Sequence, residues 1–230
     1  MGDYGLKAKP GRDIVIVIIV FAIISVISVI LRIYSRRILN ISLAFDDYLI
    51  VVAMVFVLAN AILVITTVTR GGVGFHMISQ VPIADVKFVL KAIIPMQALY
   101  GIGLALVKTS MMGLYWRLFG SKTSFRTAVY IVGAIVWGWG LSIVLEVFLL
   151  CTPFEFNWNQ AVAGHCANRN AAFVAAGVLN LMTDLLVLSL PVTHIWRLQL
   201  RTGQKIGLIL VFSLGLFISA ISMIRVRSAI

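Results

Sequence analysis

Residues 14–31, IVIVIIVFAIISVISVIL, carry no charge and only two hydroxyls. In water such an Ile- and Val-rich run would favour a strand. Its length decides otherwise, because about 18 or more apolar residues match the roughly 30 Å hydrocarbon core as a helix. Lys7, Lys9 and Arg12 precede it, as they would in a cleaved leader. The run is too long for one, however, and RIYSRRI follows where a small-residue cleavage site would lie.

Five further apolar segments follow at about 48–68, 93–115, 128–150, 171–196 and 206–224. Lipid offers backbone groups no partner, so each span is expected to be a closed helix. No strand-length alternation points to a barrel. The predicted fold is all-α: a polytopic transmembrane helix bundle of about six spans, forming a single domain over 1–230. Composition agrees, with 61% hydrophobic and 12% charged residues and a mean hydropathy of +1.07. A soluble domain is about half apolar and a quarter charged. The lipid bilayer is therefore the first expected partner.

The net charge of +11 comes from 19 basic and 8 acidic residues. No nucleic-acid partner is expected. The basic residues sit in short clusters between apolar runs, where positive-inside loops carry them, not in a stripe interleaved with aromatics. Arg32, Arg36 and Arg37, then Arg117, Lys122 and Arg126, then Arg197, Arg201 and Lys205 fall on one side. The other side holds Lys7, Lys9, Arg12, Arg70, Lys87, Lys91 and Arg169. This bias makes the first side cytoplasmic and places the N-terminus outside, with the plasma membrane as the expected location.

Cys151 and Cys166 are the chain's two cysteines and share the loop 151–170, outside in this topology. Disulfides persist in oxidising compartments, so a bridge is expected, worth about 3 kcal/mol in the chain-entropy account. The alternative is two free thiols. His76, His165 and His194 are scattered, so the four ligands of a zinc site are lacking and no metal is expected.

Charges inside spans cost about 2.5–3.5 kcal/mol each at a helix centre and are functional suspects. Asp184 lies near the middle of the fifth predicted span, with Asn180 at i−4 on the same face. Pro191 can kink that helix. Lys108 lies in the inner half of the third span, in a polar seam with Gln97, Gly101 and Tyr115. Both helices run inward, so Asp184 and Lys108 fall at comparable depth. Two readings stay open. In one they pair, within a ligand-binding or structural polar core of Asp184, Lys108, Asn180, Gln97 and Tyr115. In the other Lys108 snorkels to the headgroups, and Asp184 bonds to Asn180 and Thr183 as structural glue. Glu146 and Arg225, at the outer ends of the fourth and sixth spans, form a second and weaker candidate pair. Small residues four apart, such as Gly101 and Ala105, fit close helix packing.

GGVGFH at 71–76 lacks the spacing and the strand–helix context of a nucleotide cradle. There is no HExxH, GxSxG or pair of catalytic carboxylates, and no enzyme is expected.

Six segments occur in order over nearly the whole chain: RIYSRR at 32–37, DDYL at 46–49, GVGFH at 72–76, KTSMMGLYWRLF at 108–119, CTPFEFNWN with GHC at 151–166, and NLMTDLLVLSLPVTHIWRLQ at 180–199. Together they resemble the fungal rhodopsin-domain integral membrane proteins, a group of seven-span, receptor-like proteins. The resemblance implies a seven-helix bundle with an outer-face disulfide. By fold-level analogy it also implies sensing of a small-molecule or surface-cue ligand and signalling to a cytoplasmic partner. In one respect the chain departs from the pattern: six spans are counted, the seventh is absent, and the chain is read as truncated. The cysteine-rich extracellular module of some members is also missing. No retinal cofactor is expected. Its Schiff-base lysine belongs on the last helix of such a bundle, whereas Lys205 sits at the mouth of the sixth span and Lys108 is on the third. Two functions follow as expectations: a receptor-like protein of unknown ligand, or a transporter or channel using the Asp184/Lys108 seam as a polar path.

Asn40-Ile41-Ser42 is a glycosylation sequon on the side read as cytoplasmic. Asn40 is therefore expected to carry no glycan. Endoglycosidase treatment of the expressed protein should leave its mobility unchanged; a removable mass at Asn40 would invert the topology.

Overall fold

The computed structural model describes residues 9–40, 42–72, 82–120, 122–159 and 161–195. Among them, five helices are long and apolar enough to cross a membrane. They are α1 (Lys9–Ile38), α2 (Phe45–Gly71), α3 (Ile83–Phe119), α4 (Thr123–Leu149) and α5 (Arg169–Ile195). The predicted sixth span lies outside the described residues, as do residues 73–76 and Arg225.

Each helix starts before the apolar segment that predicts it, and α1, α2 and α3 also end beyond theirs. Helical hydrogen bonding does not stop at the hydrocarbon edge; it stops where a cap or a backbone turn ends it. The N-terminus of α2 is closed by the Asp47 carboxylate, which accepts the Ala44 N–H at 3.1 Å. Its C-terminus ends at Gly72, in the left-handed conformation with φ 68°. α3 runs for 37 residues and carries Pro95 in its interior. At 1.5 Å per residue that is about 55 Å, longer than the apolar core.

α3 is the hub of the described bundle. It packs most extensively on α2, then on α4, and also meets α5; α1 rests on α2, and α5 on α4. The inward face of α4 is a stripe at three- and four-residue steps: Phe125, Val129, Val132, Val136, Trp139 or Gly140, Ile143 and Val147, all buried. Ala105 and Met112 of α3 and Val187 and Leu190 of α5 complete this core. Elsewhere the apolar side chains of α1, α2 and α5 turn outward, as lipid-facing surfaces do. The stray hydroxyls of α1 are satisfied within the helix, Ser25 on the Phe21 carbonyl and Ser28 on that of Ile24.

One feature escaped the all-helical reading. Cys151–Thr152 (β1) and His165–Cys166 (β2) form a small antiparallel sheet with Cys151 opposite Cys166. Two-residue strands are too short to leave an alternating pattern. The loop between them folds back because Gly164 has no side chain: a Cβ there would lie 2.8 Å from both the Thr152 carbonyl oxygen and Pro153 Cδ.

α3 and α4 approach closely where Gly101 meets Gly140. A Cβ on Gly140 would stand 3.2 Å from the Ala105 Cβ, and one on Gly101 3.1 Å from Ile143. Gly138 points into open space. Gly140→Leu is expected to push the helices apart and cost about 1–3 kcal/mol, as overpacking does, while Gly138→Leu should be near neutral. Thermal unfolding in detergent would show whether the two substitutions separate in this way.

Candidate functional site

Lys108 projects from α3 toward α5, where Asn180, Thr183 and Asp184 share one face at i, i+3 and i+4. Its ammonium donates to Asn180 Oδ1 at 2.8 Å and Thr183 Oγ1 at 2.7 Å. It meets Asp184 Oδ1 at 3.1 Å and the Asn180 carbonyl at 3.3 Å. Three N–H donors are thus spread over four oxygens. The Trp139 ring of α4 covers the ammonium at 4.7 Å, a geometry worth up to about 2 kcal/mol when desolvated. Trp139 is itself anchored, donating Nε1–H to the Ala176 carbonyl at 3.2 Å. Three helices therefore meet around one cation. Only 4% of the Lys108 side chain is exposed, so its head is held in the bundle and does not reach the headgroups. Asp184 keeps 40% exposure, and among the described residues its second oxygen accepts only a long 3.4 Å bond from Asn180.

The remaining seam residues do not join this cluster. Gln97 lies on the same face of α3 as Lys108, but about 16 Å along the helix. Tyr115 lies about 10 Å in the other direction, packed against the apolar core. Glu146 sits in the last turn of α4, half-buried, and its proposed partner Arg225 lies outside the described residues. Tyr100 was not singled out from the sequence, yet it meets Trp139 edge to face at 6.4 Å. Tyr100, Trp139 and Lys108 therefore form a continuous line into the bundle from its disulfide end. Asn60 of α2 adds a buried side-chain oxygen without a hydrogen-bond partner among the described residues.

A second charged cluster was missed in the sequence, where Arg32, at the end of the first helix, and Arg36 and Arg37 beyond it read only as positive-inside charges. Arg32 and Arg36 lie one turn apart on α1 and face the first turn of α2. Arg36 reaches Asp46 at 2.6 Å and Asp47 at 2.9 Å; Arg32 reaches them at 2.8 and 3.2 Å. Each guanidinium thus bridges both carboxylates, and the four charges cancel. The carboxylates also sit at a helix N-terminus, where the macrodipole favours them. The Asp46 carbonyl accepts the Ser110 hydroxyl of α3 at 2.7 Å, which ties α3 to the cluster. The available signal was two arginines four apart, followed after a short loop by adjacent aspartates.

At the opposite end Cys151 and Cys166 form a disulfide. Its loop lies against α3: Lys87 donates to Asn159 Oδ1 at 3.2 Å, and Lys91 stands 5.4 Å over the Trp158 ring.

Five apolar helices, buried charge pairs between them and a disulfide hairpin at one end define a multi-pass membrane protein. The chain belongs to the fungal rhodopsin domain family, which it matches over residues 31–230. It is 30% identical to a SAT4 family membrane protein of Emericella nidulans, over 70% of this chain and 42% of that protein. It is 31% identical to the polyenoic acids biosynthesis gene cluster protein Ba17b of Metarhizium anisopliae, over 91% of this chain and 59% of the relative. A more distant similarity, 23% over 54% of this chain and 30% of the relative, is to Receptor GIN3 of Arthrobotrys oligospora. The chain spans about half the length of the first two relatives. No solved structure matches it.

Breaking a fully buried ion pair costs about 3–5 kcal/mol. Because Asp184 is 40% exposed, Asp184→Asn is expected to cost less, about 2–3 kcal/mol, and Lys108→Met in the same protein should recover part of it. A double-mutant cycle in nanodiscs reads this directly. Coupling under about 0.5 kcal/mol would mean that the two sites act independently.

Proposed function

We propose that this chain is the membrane core of a receptor-like sensor at the plasma membrane, with its N-terminus outside and its Arg-rich loops in the cytoplasm. The Lys108–Asp184 pair is its ligand-responsive element. The observation that carries this reading is the asymmetry of the pair. Lys108 is enclosed, while Asp184 is 40% exposed. A polar small molecule arriving from the disulfide end passes Tyr100 and Trp139 and can compete for Asp184, loosening α5 from α3. The ligand then shifts an equilibrium between paired and unpaired states by its differential affinity for them. The GSKTS segment at 120–124 and the LRTGQK segment at 200–205, the latter outside the described residues, are the sequences offered to a cytoplasmic signalling partner. Sensing, not catalysis, is the activity assigned. The receptor name borne by one relative supports this reading. The biosynthesis-cluster name of another suggests small fungal metabolites as the ligand class to try first.

The test uses the full chain in nanodiscs, carrying an environment-sensitive fluorophore on Lys122→Cys, exposed to fractionated fungal culture medium. A saturable signal from a small-molecule fraction, abolished by Lys108→Met, is expected. If the same fraction is instead carried across proteoliposomes in an Asp184-dependent manner, the protein is a transporter using this seam as its path.

A further inference from the structure

A cavity of about 850 Å³ opens between the first turn of α2, the C-terminal half of α3 and the outer side of α4. It is separate from the Lys108 cluster. Its walls include Leu49, Met112, Trp116, Val129, Tyr130 and Trp137. Two of the polar side chains along it, Thr109 and Asp46, are already engaged. The Thr109 hydroxyl donates to the Ala105 carbonyl, and the Asp46 carboxylate is held by Arg32 and Arg36. The interior therefore selects an apolar occupant. Tyr130 and Trp137 are exposed on α4, so the groove opens sideways toward lipid.

Its mouth has the opposite character. Arg117, on the wall, donates weakly to the Ser42 carbonyl at 3.5 Å. Arg126 donates to the Gly120 carbonyl at 2.6 Å and lies 5.5 Å over the Trp116 ring. Among the described residues neither is paired with a carboxylate. Lys122 stands beside them as the N-cap of α4, a helix end that no side chain caps. Arg117 on the wall and Arg126 over the wall residue Trp116, with Lys122 four residues earlier in the chain, thus give this end positive charge and favour an anion. From Arg126 to Trp137 is eleven residues of α4, about 16 Å, or half the hydrocarbon thickness. The groove is one leaflet deep.

We infer that this groove binds an anionic phospholipid of the leaflet at the Arg-rich end. One acyl chain lies along Trp116 and Trp137, and the phosphate-bearing headgroup rests on Arg117, Lys122 and Arg126. The site bridges α2, α3 and α4, so its occupant adds to the cohesion of the helices that present Asp46 and Lys108.

The full chain, stripped of lipid in a neutral detergent, is titrated with phosphatidylserine or phosphatidylcholine and followed by native mass spectrometry and melting temperature. Phosphatidylserine is expected to bind about tenfold more tightly, as a few basic groups at the surface would give, and to raise the melting temperature. Arg117→Gln with Arg126→Gln should abolish that preference. A Cβ at Gly133 would meet Met112 Cε at 3.8 Å, an ordinary contact, so Gly133→Leu should fold while blocking the groove and lowering retention of both lipids. Should that variant not fold, Gly133→Cys serves instead, and phosphatidylserine should slow its reaction with N-ethylmaleimide. Equal binding of the two lipids would overturn the headgroup assignment. A preference that survives Gly133→Leu, or a Gly133→Cys thiol whose reactivity ignores lipid, would overturn the groove assignment. A thiol protected even without lipid would show that the chain itself fills the space, and would also overturn the proposal.

Discussion

Lipid tails compete with apolar side chains for every helix face, so burying Leu or Ile against another helix gains little in a membrane. Polar cross-links therefore carry much of the burden of telling these helices which neighbour to choose. Arg32 and Arg36 bind α1 to α2 through Asp46 and Asp47. Ser110 binds α3 to α2, Lys108 binds α3 to α5, and Trp139 binds α4 to α5. Ser110 and Lys108 are two residues apart and so project about 200° apart around α3. One short stretch of a single helix thereby serves two opposite neighbours. Any other rotation of α3 would place a lysine in hydrocarbon without a partner.

The spans were legible because length and hydropathy are local properties. The comparable depth of Lys108 and Asp184 was legible because depth follows from the span positions, but whether they pair stayed open between two readings. What was not legible depended on how the helices turn toward one another. Gln97 and Tyr115 lie within about 20° of Lys108 around α3, but the polar face of α5 is one turn long, from Asn180 to Asp184. Only the turn of α3 opposite it can make contact, so sharing a face did not mean sharing a site. Trp139 left no signal, because the sequence does not say which side of α4 turns inward. The arginines of α1 were misread for a different reason. Charges at a membrane interface are usually solvated, and only the fold shows that Asp46 and Asp47 take Arg32 and Arg36 out of water. These two arginines therefore report less on topology than their position suggests, which shifts the weight of that argument to Arg117, Lys122 and Arg126.

The two ends of the bundle are closed by different chemistry. At one, four charges cancel within a few ångströms. At the other, a covalent bridge holds a hairpin whose Trp158 and Asn159 rest on two lysines of α3. The hairpin ties the exit of α4 to the entry of α5, the two helices that enclose the Lys108 ammonium from either side. A strain relayed between this hairpin and the core would travel through these same two helices.

The position of Lys108 also sets an order of assembly during synthesis. α3 is the least hydrophobic of the five spans, with a mean hydropathy of 1.6 against 2.0 to 3.5 for the others. Its partners Asn180 and Thr183 lie 72 and 75 residues further along the chain. The arginine–aspartate cluster closes as soon as α2 follows α1 out of the ribosome, whereas α3 must enter the bilayer before anything can accept its ammonium. For that interval the nascent chain is a stable hairpin joined to a span with an unanswered charge. The arrival of α5 is therefore the step that answers this charge, and a chain interrupted before Asn180 is one that cellular quality control has physical grounds to recognise.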